Sequence, residues 1–386
     1  MKLILGFIPL LDCAPLVAAA EFGFAAQESV DLALVRETSW ANIRDRLIVG
    51  HFDVAHMLGP MTVATTLGVG HVKVPVIAPF ALGLGGNAIT ISRSIWERMT
   101  GEGASLGADP AVQGQALRKV VTARARAGLK PLTFGMVYPF SCHNYELRYW
   151  LAGCGIDPDH DVRLVVIPPP FLVDAMRAGQ IDGFCVGEPW NSVAVDAGVG
   201  VIVAPTTAVW PMSPEKVLGC RIEWAQRHPI LLAALLRALH HAAVWCEKPE
   251  NHPELARKLA EPKYVGTSAE LLQLALDNQL SLAQGSLPRQ YPGFYSMASH
   301  AATFPWVSHA LWYYTQMIRW RQHEYLEEEV AAVRATYRPD LYRAALGAHM
   351  PDIPKVDEKV ERFFDDRLFD PADMTGYLRG LRRGLQ

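Results

Sequence analysis

The feature that most constrains the fold of this chain is an alternation of short apolar runs with helical stretches in its N-terminal part. Four runs have the length and composition of buried strands, at residues 3–8, 30–36, 52–56 and 74–78. Stretches of helical character separate them, at residues 15–24, 41–49 and 60–67. This strand–helix–strand rhythm is typical of parallel sheets and predicts an α/β fold.

The pattern changes near residue 87 and then resumes with different spacing. Strands are predicted at residues 133–136, 162–167 and 181–185, and helices dominate from residue 268 onward. We predict two α/β lobes with a ligand cleft between them, because open sheets bind ligands outside the carboxyl ends of their strands. The predicted boundaries are 1–90 for the first part of lobe I, 91–190 for lobe II, 191–325 for the return of lobe I, and 326–386 for a helical C-terminal extension.

Composition excludes several classes of protein. Of 386 residues, 50% are hydrophobic and 19% are charged, which is typical of a globular chain rather than a disordered one. The 36 Lys and Arg residues do not exceed the 39 Asp and Glu residues, so direct nucleic-acid binding is not expected. No uninterrupted apolar run is long enough to cross a membrane, so no membrane span is expected.

The cysteines and the first apolar run indicate in which cellular compartment the protein is expected. Six cysteines are scattered without a CxxC pair or zinc-like spacing, so we predict free thiols and no metal. The run at 3–8 follows Met1 and Lys2, and it has two interpretations: a secretory signal or the first buried strand. We favour the strand, and with it a mature cytoplasmic protein.

Two polar positions of the first lobe could face the cleft. Trp40 follows the second predicted strand and offers one indole N–H, although packing in the core is an equal alternative. Asn87 ends a glycine-rich stretch that includes Gly85 and Gly86. Their backbone N–H groups could surround a small anion, or the stretch could be an ordinary turn.

Three further polar residues stand at the ends of predicted elements. His143 begins a predicted helix, where it could donate to an anion or be structural. Glu188 follows a strand and either fastens the crossing between lobes or starts a helix. Lys216 precedes an apolar strand and is either solvated or directed into the cleft, where it would supply a full positive charge.

Metal-protease and phosphate-binding motifs are missing from the sequence. There is no HExxH and no phosphate-binding P-loop. Cys142 and His143 are adjacent, and neighbouring side chains usually point apart rather than forming a nucleophile–base pair. The chain is therefore predicted not to be an enzyme, and no cofactor is expected.

Several segments together resemble one known family. They are GFIPL at 6–10, WANIRD at 40–45, DVAHMLGPM at 53–61, GNAIT at 86–90, HNY at 143–145, PPP at 168–170 and FPW at 304–306. This ordered set is similar to the nitrate- and bicarbonate-binding proteins of ABC importers. The resemblance implies a type II periplasmic-binding-protein fold that closes on a small oxyanion. It also implies nitrate or nitrite contacts from Trp40, Asn87, His143 and Lys216, with backbone at Gly85 and Gly86.

The branch that the chain resembles most is the NasS type, which are cytoplasmic nitrate/nitrite sensors. The resemblance implies a protein partner, a NasT-type RNA-binding antiterminator that is released when the anion binds. Two alternatives stay open: an exported solute-binding component of a nitrate importer, and an enzyme acting on a small anionic or heteroaromatic substrate. Because nitrate only accepts hydrogen bonds, we expect its site to contain donors alone.

Overall fold

The framework of the computed structural model consists of two five-stranded sheets and three two-stranded sheets. The structure describes residues 2–347, 350 and 352–382. The strands in chain order are β1 (Lys2–Phe7), β2 (Asp31–Arg36), β3 (Val54–Leu58), β4 (Val76–Ala81), β5 (Leu84–Gly85), β6 (Asn87–Ser92), β7 (Leu132–Met136), β8 (Val162–Val166), β9 (Gly183–Gly187), β10 (Gly200–Pro205), β11 (Lys216–Arg221), β12 (Gln279–Leu280), β13 (Arg289–Gln290), β14 (Tyr295–Ser296), β15 (Glu361–Arg362) and β16 (Leu368–Phe369).

Helices cover both sheets and dominate the second half of the chain. In chain order they are α1 (Ala14–Glu21), α2 (Phe24–Gln27), α3 (Trp40–Ile48), α4 (Gly59–Leu67), α5 (Arg93–Gly101), α6 (Pro110–Arg126), α7 (Cys142–Gly153), α8 (Leu172–Arg177), α9 (Trp190–Asp196), α10 (Ile222–Arg227), α11 (Pro229–Cys246), α12 (His252–Leu259), α13 (Ala269–Leu276), α14 (Val307–Arg319), α15 (Glu327–Thr336), α16 (Pro339–Leu346) and α17 (Met374–Arg382).

The first sheet has the order β2-β1-β3-β11-β4 and is built mainly from the N-terminal part of the chain. Strand β1 pairs in parallel with β2 on one side and β3 on the other, so the run predicted at 3–8 is a strand inside the sheet. Strand β11 lies antiparallel between β3 and β4. It is the strand by which the chain re-enters this sheet after forming the second lobe.

The second sheet has the order β10-β6-β9-β7-β8 and includes strands that the sequence pattern did not predict. Strands β6 and β10 were missed; they pair antiparallel to each other, and β6 also pairs antiparallel with β9. The chain therefore enters the second sheet at Asn87 and leaves it after Pro205. Its return to the first lobe comes later than the expected boundary at residue 191.

The helices follow the predicted pattern with two differences. The sequence pattern also predicts helical structure at 224–246, and Pro229 divides this stretch into α10 and α11, because a proline opens a helix but cannot continue one. The region 326–386 was expected to be a helical C-terminal extension. It contains α15, α16 and α17, but also the hairpin of β15 and β16 and an irregular stretch before it. Short polar and proline-containing segments there lack helical periodicity.

Helix α11 is apolar on most of its surface because it lies in the core. Among the described residues it is the one helix long and apolar enough to cross a membrane, and 56% of its apolar window is buried inside the protein. It packs against α1, α2 and α16 on the outer side of the first sheet. A second apolar cluster runs from the other side of that sheet through α14 into the second lobe.

Candidate functional site

Three of the predicted ligand residues meet where the chain passes between the two sheets. Asn87 is the first residue of β6, Lys216 is the first residue of β11, and His143 lies in the first turn of α7. All three side chains are fully buried. Gly187, the last residue of β9, has no side chain; a Cβ there would lie 3.3 Å from both Asn87 Oδ1 and Lys216 Nζ. Because Gly187 has no side chain, the Asn87 amide and the Lys216 ammonium have room to contact each other.

The Lys216 ammonium is held by groups from four segments of the chain. Its Nζ lies 2.7 Å from Asp12 Oδ2, 3.1 Å from His143 Nε2 and 3.4 Å from Asn87 Oδ1. It also pairs with the neighbouring Glu215 carboxylate. Burial lowers the pKa of Lys216, but the charges of Asp12 and Glu215 outweigh this effect and raise it above the ordinary value. Lys216 is therefore a permanent cation.

His143 carries a donor that the protein does not use. Its Nε2 faces the Lys216 ammonium, so Nε2 must accept and the ring proton is assigned to Nδ1. Burial and the Lys216 charge hold the pKa of His143 well below its ordinary value, so the ring is neutral. Nδ1 is buried and has no hydrogen-bond partner among the described residues. Such an N–H is uncommon in folded proteins and is suited to an added acceptor.

Trp40 supplies a second unused donor and joins the cluster through His56. The two rings pack edge to face with centroids 5.2 Å apart, and His56 Nε2 lies 3.1 Å from Asp12 Oδ1. The Ile8 backbone N–H donates to His56 Nδ1 at 3.4 Å, which leaves the ring proton on Nε2, toward Asp12. Trp40 Nε1 is buried, and no described residue accepts from it.

Two buried glutamates share the amide of Asn87. Asn87 Nδ2 donates to Glu146 Oε2 at 2.9 Å and also to Glu215 Oε1. Burial raises the pKa of Glu146. Burial also raises the pKa of Glu215, to about 8; the Lys216 charge opposes this shift and the Glu146 charge adds to it. The two carboxyl groups therefore titrate as a pair.

The expectation of a site containing donors alone is wrong. Asp12 and Glu215 contact the Lys216 ammonium, and Glu146 and Glu215 contact the Asn87 amide. Two of these carboxyl groups had a signal in the sequence. Glu215 directly precedes Lys216, and Glu146 follows His143 by three residues, which places both on one face of a helix. Asp12 was visible only as a charge inside an apolar segment.

Gly85 and Gly86 do not present amide donors to this cluster. The Gly85 N–H donates to Ser213 O at 2.8 Å, and the Gly86 N–H donates to Phe294 O at 2.6 Å. Both glycines have positive φ, and a Cβ on Gly85 would lie 2.2 Å from Phe294 O. They are glycines because the backbone before β14 approaches them closely. Their predicted role as anion donors does not fit this geometry.

The turn after β9 links the lobes through backbone contacts. The Leu11 N–H donates to Glu188 O at 2.7 Å, and the Glu188 N–H donates to Gly86 O at 2.9 Å. The Glu188 carboxylate accepts from the Ser192 N–H at 3.2 Å, as a group at the start of a helix does. Burial raises the pKa of Glu188 to about 7. Glu188 thus starts α9, while its backbone joins the lobes.

Within the described part of the chain, no three His, Cys, Asp or Glu side chains are grouped so that they could hold a metal ion. The six cysteines are buried and unpaired, as predicted from their spacing.

Sequence comparison places this site in a known family. A protein-family model for the NMT1-like family matches residues 1–260, which contain both five-stranded sheets and every predicted site residue. The chain belongs to the NMT1-like family. A similar curated protein is the nitrate/nitrite binding protein NrtA of Synechococcus elongatus, which is 36% identical over 389 residues, covering 98% of this chain and 85% of the relative.

A second relative is longer than this chain. The nitrate import ATP-binding protein NrtC of Synechocystis sp. is 37% identical over 386 residues, covering 98% of this chain and 55% of the relative. The chain therefore spans about half the length of NrtC. These similarities confirm the predicted resemblance to the nitrate- and bicarbonate-binding proteins.

A solved structure supports the NMT1-like assignment at the level of the fold. The crystal structure of the periplasmic nitrate-binding protein NrtA from Synechocystis PCC 6803 aligns with a TM-score of 0.90 and 29% identity, covering 98% of each chain. The predicted two-lobed periplasmic-binding-protein fold is confirmed. Both NrtA proteins are named as binding proteins, which agrees with the prediction that this chain is not an enzyme.

Proposed function

We propose that this chain binds nitrate or nitrite in the cluster around Lys216. The observation that carries the proposal is a pair of buried, unused N–H groups. His143 Nδ1 belongs to the ring whose Nε2 contacts the buried Lys216 ammonium, and Trp40 Nε1 belongs to a ring packed against His56. Nitrate and nitrite only accept hydrogen bonds, so unused donors and a positive charge match their chemistry. The nitrate-binding names of the relatives with this fold support the same ligand class.

Binding strength requires several of these groups to act together. Micromolar affinity corresponds to about 8 kcal/mol, whereas one charge-assisted hydrogen bond contributes about 1.5–3 kcal/mol. The Lys216 ammonium already donates to carboxylates of the protein, so the anion must share it with them or displace one.

Calorimetry with the purified chain tests this proposal. We expect heat and thermal stabilisation with nitrate or nitrite, and Trp40→Phe should weaken binding about fivefold to tenfold because it removes one N–H and retains a ring. Trp245→Phe, which changes a tryptophan packed on Phe22 away from the site, is the matched control. Binding of neither anion would contradict the proposal, and unchanged affinity in Trp40→Phe would remove Trp40 from the site.

We further propose, from the sequence resemblance, that the chain is the cytoplasmic sensor that holds a NasT-type antiterminator inactive. The anion must then bind the partner-free form more tightly than the complex, because equal affinity shifts no equilibrium. A pull-down of the purified antiterminator should lose the partner when nitrate or nitrite is added. Retention of the partner at saturating anion would contradict the sensor role.

The second candidate is the solute-binding component of a nitrate importer, and the names of the relatives NrtA and NrtC favour it. Both candidates require the same ligand, so the protein partner distinguishes them. Fractionation of cells that produce the chain, with antibody detection, should find it outside the cytoplasm if it serves an importer. An exclusively cytoplasmic chain would favour the sensor.

A further inference from the structure

The paired glutamates beside Lys216 are not accounted for by anion binding alone. Glu146 and Glu215 both accept from Asn87, and Glu215 also contacts Lys216. Asp12 already balances the charge of that lysine at 2.7 Å. A monoanion that enters this buried cluster meets two further carboxyl groups with no second cation among the contacts of the pair. Like charges brought together in a buried site are costly, so something must neutralise them.

We propose that this site binds its oxyanion together with a proton, which the Glu146–Glu215 pair takes up. The inference rests on the proposed function. The proton comes from solvent and forms an O–H bond on a carboxylate oxygen of the pair, so the cluster gains one anion and one proton and its net charge is unchanged. The protonated carboxyl also becomes a donor, which an anion that only accepts can use.

The other titratable groups that face the pair keep one charge state near neutral pH. They come from every element packed against it: Asp12, Cys142, His143, Cys185, Lys216, Tyr295, Tyr313 and Tyr337. Burial raises the pKa of the thiols and phenols well above their ordinary values, so they stay neutral.

The remaining neighbours are equally fixed. Burial raises the pKa of Asp12, but Lys216 and His56 outweigh this effect and hold it below the ordinary value, so Asp12 stays ionised. Burial and the Lys216 charge keep His143 neutral by holding its pKa well below the ordinary value. A change of charge in this cluster as the pH rises through about 8 therefore belongs to the paired glutamates.

The experiment is calorimetry with sodium nitrate and sodium nitrite at several pH values, in pairs of buffers with different ionisation enthalpies. The dependence of the observed heat on the buffer counts the protons taken up with each anion. At pH 7 the pair already holds most of its proton, so we expect little uptake there. Above about pH 8 we expect uptake that approaches one proton per anion, and an affinity that falls by up to about tenfold per pH unit. An affinity that is constant with pH, with no buffer dependence, would overturn the proposal.

Two variants assign the proton to the pair. Glu215→Gln and Glu146→Gln each replace a carboxyl by a neutral amide of the same size, and either should at least halve the proton uptake. Glu188→Gln is the matched control, because Glu188 is also buried but contacts Ser192 rather than the cluster. Proton uptake that persists in both pair variants, or that disappears only in Glu188→Gln, would overturn the assignment.

Failure of this inference differs from failure of the proposed function. If nitrate and nitrite give no heat and no stabilisation at any pH, the proposed ligand is wrong. If either anion binds with the same affinity at every pH, the ligand is right and the proton uptake is wrong.

Discussion

A fully buried ammonium such as that of Lys216 persists only because charges and hydrogen-bond acceptors replace the water it has lost. Asp12, Glu215, His143 and Asn87 supply these contacts from separate segments of the chain. The ammonium therefore binds the two lobes to each other as well as serving the proposed ligand. Its removal leaves buried carboxylates without compensation, which costs more than the loss of the contact itself.

Replacing Lys216 by methionine should lower the free energy of unfolding by about 3–5 kcal/mol, because it leaves Asp12 charged and buried without its partner. Urea denaturation measures this loss. Adding Asp12→Asn to the variant should recover part of the stability, since the two residues form one unit. If the two substitutions are strictly additive, the pair does not interact as the structure indicates.

The buried glutamates also predict how stability varies with pH. Burial raises the pKa of Glu215 to about 8 and that of Glu188 to about 7, so the folded chain holds protons that the unfolded chain releases. The free energy of unfolding should therefore fall as pH rises from about 6 to 8, by up to about 1.4 kcal/mol per pH unit for each proton that the folded chain still holds. Urea denaturation at pH 6, 7 and 8 measures it, and Glu215→Gln should reduce the fall. Greater stability at the higher pH would contradict this assignment.

At the scale of elements, the sequence pattern correctly predicts a buried strand or helix that is bounded by turn residues. It does so when the element also lies next to its sequence neighbours in the sheet. The runs predicted at 3–8, 30–36 and 133–136 are strands of the structure with ends shifted by at most one residue. Strands β6 and β10 were missed because their antiparallel pairing joins residues about a hundred positions apart. The local pattern of apolar and polar residues does not indicate a pairing between such distant segments.

In the candidate site too, features set by the local sequence were predicted, and contacts between distant segments of the chain were not. Asn87, His143 and Lys216 were each predicted from their place at an element end, and the structure brings them together. The carboxyl groups around them were not predicted, because their contacts depend on how two sheets and α7 are oriented. Gly85 was assigned a ligand role because the sequence does not reveal that Ser213 already accepts from its N–H.

Helix α14 connects the elements around the site through one phenol. Tyr313 Oη donates to Pro214 O at 3.0 Å and lies 3.2 Å from Cys142 Sγ, so it joins the segment before β11 to the start of α7. Tyr313→Phe should lower the free energy of unfolding by about 1–3 kcal/mol, since a buried carbonyl loses its partner. Chemical denaturation checks this value. Tyr325→Phe is the matched control, because its hydroxyl contacts an exposed Glu327, and it should change stability by less than about 0.5 kcal/mol.

At the scale of the whole molecule, the C-terminal segment belongs to both lobes. The Arg338 N–H donates to Ala78 O of the first sheet at 3.1 Å. Phe363 stacks on Trp312 with centroids 5.6 Å apart, and Tyr149 of the second lobe donates to Asp365 at 3.0 Å. The segment predicted as an extension at 326–386 therefore covers aromatic surface that would otherwise face water.

Deleting residues 326–386 should prevent the rest of the chain from forming a stable soluble monomer. The deletion exposes Trp210 and Trp312, which are buried against Phe363, and large exposed apolar patches promote association. Size-exclusion chromatography and thermal unfolding of the shortened chain measure the effect. A graded variant, Phe363→Ala, should cost about 3–5 kcal/mol in the full chain. A shortened chain that stays monomeric with unchanged thermal stability would contradict this role.

The position of the cluster at the two crossings of the chain has a mechanical consequence. Asn87 begins the first strand after the crossing outward, and Lys216 begins the first strand after the crossing back. Any rotation of one lobe against the other pivots near these two residues, so a small change in their separation becomes a larger displacement at the far rims. The distance between the rims would therefore depend on whether a single small ion is bound at the pivot. A protein that binds both rims would respond to this difference in distance.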